Sequence, residues 1–129
     1  MTVNLLDANV LIALTVAEHE HHERASAWAA GRHFALCPIV EGALVRFLLR
    51  IGESHETATA VLTALHASGR CEFWPDSVSY AETDLREVTG HRQVTDAYLV
   101  ALADTRKAKL VSFDRRLAVA APTTVELLR

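Results

Sequence analysis

Four acidic residues, Asp7, Glu41, Asp96 and Asp114, are the side chains of this sequence best placed to do chemistry. Asp7 and Asp114 each follow an apolar, strand-like run, whereas Glu41 and Asp96 open helical stretches. In an open α/β sheet the ligand crevice lies at the carboxyl ends of the strands, so we expect the four side chains to converge on one pocket. Converging carboxylates repel one another, and a divalent metal is the usual remedy.

Two of these acids are predicted to lie on the buried faces of their helices. Glu41 stands one helical turn before Leu44, and Asp96 stands one turn before Leu99. An unpaired buried carboxylate costs several kcal/mol, and the sequence offers no obvious Arg or Lys on the same stripes. Oxygen ligands without His or Cys suit Mg²⁺ or Mn²⁺ and make zinc a poor choice.

Each acid taken alone has a simpler explanation. Asp7, Asp96 and Asp114 all precede helical segments, where an Asp side chain can cap free backbone amides. It is the arrangement of all four acids together that favours a metal site.

Other polar residues flank the acids. Three stand one or two positions away and are Asn9, Thr95 and Ser112. They are expected either to orient the carboxylates or a metal-bound water, or to cap the local backbone. Three nearby cations are Arg92, Arg115 and Arg116. They are candidate contacts for RNA phosphates, although an exposed Arg beside an acid is commonly an ordinary surface charge.

A histidine-rich stretch also resembles a metal site at first sight. His19, His21 and His22 alternate with glutamates, but they fall where the chain turns between two predicted helices. We therefore predict a solvated loop and helix start there.

Length and composition indicate one folded domain spanning residues 1–129. Hydrophobic residues make up 50% of the chain and charged residues 22%, which disfavours disorder. No segment approaches the roughly 20 apolar residues of a membrane span, and the basic start of a secretory signal is missing. Together with two cysteines expected to be reduced, this predicts a cytoplasmic protein without a membrane partner. The net charge of −3 is weak evidence against a nucleic-acid partner, since a bound divalent ion reverses the local sign.

The hydrophobic pattern alternates between strands and helices. Strands are predicted at residues 3–6, 34–37, 71–74, 109–113 and 124–128. Helices are predicted at residues 9–14, 25–30, 38–51, 55–68, 79–90 and 95–103. Near-continuous apolar strands that alternate with helices predict an α/β fold whose parallel sheet is covered on both faces.

The motifs around the acids resemble those of the PIN domain, and within it the VapC-type toxins of bacterial toxin–antitoxin pairs. The matching stretches are residues 5–11 (LLDANVL), Glu41 on its apolar helix, residues 94–99 (VTDAYL) and residues 110–114 (LVSFD). Residues 20–23 and 90–96 also look typical of these toxins. One such motif is weak, but four in order over nearly the whole chain are specific.

The resemblance implies a PIN-like three-layer α/β/α fold and a Mg²⁺- or Mn²⁺-dependent endoribonuclease, the toxin of a type II toxin–antitoxin system. It carries the catalytic and metal-binding roles over to Asp7, Glu41, Asp96 and Asp114. It also implies an RNA substrate, a small antitoxin protein as partner, and a homodimer or a toxin–antitoxin hetero-oligomer. The expected reaction is hydrolysis of an RNA phosphodiester by a metal-activated water.

Three rival functions fit the sequence less well. A phosphorelay receiver needs an acidic neighbour for Asp7, a phosphoacceptor Asp at the end of a middle strand and a Lys near the last strand. Here Asp7 has no acidic neighbour, the middle strand ends at Trp74 and Pro75, and the end of the chain offers no Lys. A phosphatase with an Asp nucleophile normally has a second Asp two residues later, where this chain has Asn9. A PIN-like domain that only binds is disfavoured by the intact set of acids.

Overall fold

The computed structural model describes residues 2–129, which form five short strands and six helices. The strands are β1 (Asn4–Leu6), β2 (Phe34–Leu36), β3 (Cys71–Phe73), β4 (Leu110–Ser112) and β5 (Val125–Leu127). The helices are α1 (Ala8–Thr15), α2 (His22–Ala29), α3 (Pro38–Arg50), α4 (His55–Ala67), α5 (Val94–Thr105) and α6 (Arg115–Ala120). Two single 3₁₀ turns lie at Tyr80–Glu82 and His91–Gln93.

The strands form one parallel sheet in the order β3-β2-β1-β4-β5. The chain moves in one direction from β1 to β3 and then in the other direction through β4 to β5. Because crossovers between parallel strands are right-handed, this reversal puts α1 to α4 on one face of the sheet and α5 and α6 on the other. The predicted parallel sheet between two layers of helices is confirmed. The reversal also opens a crevice at the carboxyl ends of β1 and β4.

The central strands are apolar on both sides because both faces of the sheet are covered. Leu5 and Leu6 of β1 and Leu110 and Val111 of β4 are completely buried. Burying one such side chain contributes about 1.5–3 kcal/mol to folding, so these strands are held firmly in register. The carboxyl ends of β1 and β4 therefore provide a rigid base for the residues that follow them.

Helix ends follow the local sequence signals. Ser54 accepts a hydrogen bond from the backbone N–H of Thr57 at 3.1 Å and so caps α4. Gly52 and Gly69 follow α3 and α4 with φ angles of 93° and 76°, a left-handed conformation that glycine adopts without strain. Among residues 2–129, no helix is both long and apolar enough to cross a membrane.

The predicted helix at residues 79–90 is wrong, whereas the helical segment expected after Asp114, for which the sequence gives no clear bounds, is present as α6. Ser79 accepts a hydrogen bond from the N–H of Ala81, while Thr83 donates one to the Ser79 carbonyl, so these local bonds compete with a regular helix. Residues 75–93, here called the connecting segment, instead run along the surface with the two 3₁₀ turns. Helix α6 has only six residues, too few for a clear apolar period.

The two cysteines are free thiols, as predicted. Cys71 of β3 lies opposite Phe34 of β2. Cys37 follows the end of β2, three residues and roughly 10 Å along the chain from Phe34. A disulfide needs Cα atoms within about 7 Å, so the register forbids one. Burial raises the pKa of each thiol to about 11, which makes both of them poor nucleophiles at neutral pH.

Candidate functional site

Asp7 lies in the crevice at the end of β1 and is only 7% exposed. Its Oδ1 accepts a hydrogen bond from the N–H of Ala8 at 2.8 Å, which caps α1. Its Oδ2 accepts a hydrogen bond from the Ser112 hydroxyl at 2.7 Å. Burial raises the pKa of Asp7, although the bonds from Ser112 and Ala8 oppose that rise. Asp7 can therefore cap α1 and also belong to the group of acids that we call the acidic centre, Asp7, Asp96 and Asp114.

Ser112 joins the ends of β1 and β4 through its hydroxyl group. Besides donating to Asp7, the oxygen accepts hydrogen bonds from Asn9 Nδ2 at 3.2 Å and from the N–H of Asp114 at 3.0 Å. Asn9 also accepts a hydrogen bond from the N–H of Phe113 at 3.3 Å. Asn9 and Ser112 thus fix the backbone around Asp114 relative to the Asp7 carboxylate.

Asp114 begins α6 as its N-cap. Its Oδ1 accepts hydrogen bonds from the N–H groups of Arg116 at 2.9 Å and Leu117 at 3.2 Å. Both bonds use Oδ1, so the other carboxylate oxygen, Oδ2, has no part in the cap.

Asp96 lies half-buried in the first turn of α5. Burial, together with the negative charges of Asp7 and Asp114, raises its pKa to about 6. In the described part of the chain, no Lys or Arg forms a salt bridge with these three acids. Three carboxylates thus share one electrostatic environment without a cationic side chain to neutralise it.

This arrangement fits a hard divalent cation that keeps water ligands. Within residues 2–129, no three His, Cys, Asp or Glu side chains are grouped tightly enough to coordinate one ion directly. Mg²⁺ in proteins is commonly held by only one or two carboxylates and keeps several waters, so a looser group of acids suffices. The site offers only oxygen donors, and the raised pKa values of Asp7 and Asp96 show that it lacks positive charge, which such an ion would supply.

Glu41 has a different partner in the structure. It lies in the first turn of α3, where its Oε2 is 2.5 Å from Nε2 of His66 in the last turn of α4. Nδ1 of the same ring lies 3.7 Å from the sulfur of Cys71. The structure therefore places Asp7, Asp96 and Asp114 together and gives Glu41 a histidine.

Sequence reasoning missed His66, although a signal for it existed. The predicted helices α3 and α4 are joined by a short turn, and two helices joined in this way run antiparallel. The first turn of α3 must then lie near the last turn of α4, where the polar residue is His66.

A groove of about 1130 Å³ runs from Asp96 and Asp114 between the connecting segment and helices α5 and α6. Of the three arginines proposed for phosphate, Arg92 and Arg116 line this groove, whereas Arg115 is exposed and does not. Thr95 is exposed as well. The acids lining the groove, besides Asp96 and Asp114, are Glu82, Asp84, Glu87 and Asp104. This side of the crevice is therefore predominantly negative.

The Ser112→Ala variant is expected to bind Mn²⁺ about 10- to 100-fold more weakly, because Asp7 loses the hydroxyl that orients it. A cost of about 1–3 kcal/mol in unfolding free energy is also expected from the unsatisfied polar groups. Titration calorimetry and thermal melts measure the two effects. Ser68→Ala is the matched control, because that exposed hydroxyl bonds only to the backbone of Leu65 and Arg70, away from the acids. Unchanged Mn²⁺ affinity in folded Ser112→Ala would contradict this role.

The PIN domain family model matches residues 5–121 of the chain. Ribonuclease VapC29 of Mycobacterium tuberculosis is 52% identical over 120 residues, covering 92% of this chain and 90% of that protein. Ribonuclease VapC38 of the same organism is 40% identical over 136 residues, with 96% of each chain covered.

Solved structures show the same fold at low sequence identity. The crystal structure of VapC20 of M. tuberculosis, a Sarcin-Ricin loop cleaving toxin, matches with a TM-score of 0.70 and 19% identity over 97% of this chain and 98% of that one. VapBC2 of Rickettsia felis, bound to a DNA fragment from its promoter, matches with a TM-score of 0.67 and 17% identity, covering 99% of this chain and 100% of that one. The sequence matches span most of the chain at well above 30% identity. This chain belongs to the PIN domain family and, within it, to the VapC-type proteins.

Proposed function

We propose that this chain is a metal-dependent endoribonuclease that hydrolyses RNA phosphodiester bonds as the toxin of a type II toxin–antitoxin pair. The observation that carries this proposal is the meeting of Asp7, Asp96 and Asp114 at the carboxyl edge of the sheet without a cationic partner. The ribonuclease names of relatives with 52% and 40% identity support it.

The proposed metal is Mg²⁺ or Mn²⁺. VapC ribonucleases with PIN domains generally depend on a metal, and the oxygen-only donors of this site favour these two ions. Asp7, Asp96 and Asp114 would hold the ion, with Glu41 as the fourth acid. A bound divalent ion lowers the pKa of a water molecule and neutralises charge on the phosphate.

The residues of the chain prepare this chemistry. Asp96, with a pKa of about 6, is mostly ionised at neutral pH and can serve as a ligand. Asn9 and Ser112 keep Asp7 and the Asp114 backbone in a fixed relation, and His66 fixes the direction of the Glu41 carboxylate. We assign Thr95, next to Asp96, the same orienting role.

The phosphate contacts belong to the arginines near the acids. Arg92 and Arg116 line the groove beside Asp96 and Asp114, where a guanidinium can hold the phosphates on either side of the scissile bond. Arg115 adjoins Asp114 on the surface and would bind a phosphate further along the RNA.

The proposed protein partner is a small antitoxin, and the proposed assembly is a homodimer or a toxin–antitoxin hetero-oligomer. The fold match to VapBC2 supports this, as does a toxin–antitoxin complex from Klebsiella pneumoniae with a TM-score of 0.67. Free cysteines support a reducing compartment such as the cytoplasm. Co-expression with the neighbouring small open reading frame, followed by co-purification, tests the partner.

Cleavage of purified total RNA tests the enzyme. We expect discrete new RNA ends with Mn²⁺ or Mg²⁺ and none with an excess of chelator. Asp114→Asn should suppress the ends, whereas Glu56→Gln, an exposed carboxylate on α4, should not. If the wild-type protein leaves RNA intact with either metal, the chain is instead a PIN-like binding module.

A further inference from the structure

An aromatic and cationic surface lies directly beside Asp114. The ring of His21 stacks on Phe113 with centroids 4.8 Å apart and planes inclined by 28°. The guanidinium carbon of Arg24 lies 5.9 Å from the centre of the same Phe113 ring. We call these three residues the aromatic shelf. The solvated loop predicted from the sequence is thus partly packed, because His21 covers the residue that precedes Asp114.

The shelf is accessible to solvent. The His21 side chain is 37% exposed, Phe113 is partly exposed and Arg24 is exposed. Glu20 Oε1 lies 3.6 Å from His21 Nε2. The His19 ring lies 5.7 Å from the His21 ring at an angle of 46°, so it does not stack flat on it. A flat molecule therefore finds ring surface and a cation together.

The shelf is held at a fixed position relative to the acids. Asn9 accepts a hydrogen bond from the N–H of Phe113 and donates one to Ser112, which in turn donates to Asp7. Phe113 is also the immediate neighbour of Asp114. A group stacked on the shelf is consequently located relative to the site of cleavage.

Acids and cations lie on both sides of the crevice. The groove along α5 and α6 contains Arg92 and Arg116 among its acids. The shelf belongs to the α1–α2 side of the sheet, where Glu20 and Glu23 are exposed beside Arg24. Arg24 therefore supplies the positive charge of the shelf and can pair with a phosphate next to a stacked base.

We propose that the aromatic shelf stacks a base of the RNA substrate next to the scissile phosphate. This rests on the proposed ribonuclease function and adds a substrate-binding surface to it. Aromatic rings stack bases of any sequence, and an arginine beside them adds a cation–π contact. The shelf thus requires an unpaired base at the cleavage site, because a base within a duplex has no free face to offer.

Ultraviolet cross-linking of total RNA tests contact with the shelf directly. The experiment uses the full-length protein in chelator, so that RNA binds without cleavage, and identifies the cross-linked peptides by mass spectrometry. We expect nucleotide adducts on the peptide that contains His21 or Phe113. Adducts confined to other peptides would overturn the proposal.

Cleavage kinetics on total RNA with Mn²⁺ supply an independent readout. Phe113→Leu and Arg24→Gln should raise KM between about 5-fold and 100-fold with a smaller change in kcat, because the stacked base contributes mainly to binding. Arg32→Gln is the matched control, since the Arg32 guanidinium makes a similar contact with the Trp28 ring, 5.2 Å from its centre. Arg32 lies just before β2, at the amino ends of the strands, whereas the shelf lies at their carboxyl ends. Melting curves identify variants that fail to fold.

The outcomes separate the two proposals. If the wild-type protein does not cleave RNA, the ribonuclease function fails. If it cleaves and the folded shelf variants keep the wild-type KM, only the shelf is overturned. The same holds if those variants keep the wild-type KM but lose a co-purifying protein, because the shelf is then a protein-binding surface.

Discussion

The Asp96→Asn variant is expected to cleave RNA at least about 100-fold more slowly than the wild-type protein at limiting Mn²⁺. Loss of an outer residue that only orients a metal ligand costs about 10- to 100-fold, so loss of a ligand charge should cost at least as much. Asn has nearly the same volume as Asp and relieves repulsion from Asp7 and Asp114, so the fold should persist. Initial rates at several Mn²⁺ concentrations measure the loss.

Asp104→Asn is the matched control on the same helix. Asp104 lies eight residues after Asp96, about 12 Å further along α5, and its Oδ1 accepts a hydrogen bond from Thr124 that an Asn oxygen can also accept. Its cleavage rate should equal that of the wild-type protein. Full activity of Asp96→Asn at limiting Mn²⁺ would remove Asp96 from the metal site.

The layered sheet could be predicted from the sequence because its determinants are local. The apolar runs before Asp7 and Asp114 read as buried strands, and such strands are continuous in sequence. Once two parallel strands adjoin, the residues after them must meet at the same edge. Asp7, Ser112 and Asp114 could therefore be placed together without knowledge of the whole fold.

The remaining contacts depend on how distant surfaces pack. The bond between Glu41 and His66 requires the relative position of two helices, and the stack of His21 on Phe113 joins the α1–α2 turn to the end of β4. Neither contact produces a periodic pattern in the sequence from which it could be predicted. The connecting segment was misread because Ser79 fits a helix cap in sequence, whereas its bonds close only a single turn.

Without metal, the acidic centre is expected to lose stability as the pH rises. The pKa of Asp96 in the folded protein is about 6, above the ordinary value of 3.8, and burial raises the pKa of Asp7 as well. The folded state therefore holds its protons more tightly than the unfolded state. This stabilising contribution is fully present below about pH 4 and is lost as the pH rises through 6.

A divalent ion should reverse this loss because it replaces the protons as the source of positive charge. Saturation at 100 times the dissociation constant adds about 2.7 kcal/mol to the unfolding free energy. Protons compete with the ion for Asp7 and Asp96, so the stabilisation by Mn²⁺ should be small at pH 4.5 and approach this value at pH 7.

Denaturant unfolding at both pH values, with Mn²⁺ and with chelator, measures the effect, and Asp96→Asn isolates the contribution of one residue. Asn does not titrate, so the metal-free variant should gain about 1–2 kcal/mol on the wild-type protein between pH 4.5 and pH 7, after allowance for the water that reaches this half-buried group. Groups that do not interact with Asp96 titrate alike in both proteins and cancel in the difference. Asp104→Asn should show no such gain. Equal stabilisation by Mn²⁺ at the two pH values would mean that the ion binds elsewhere, because a site built from carboxylates with raised pKa values must couple metal binding to proton release in this range.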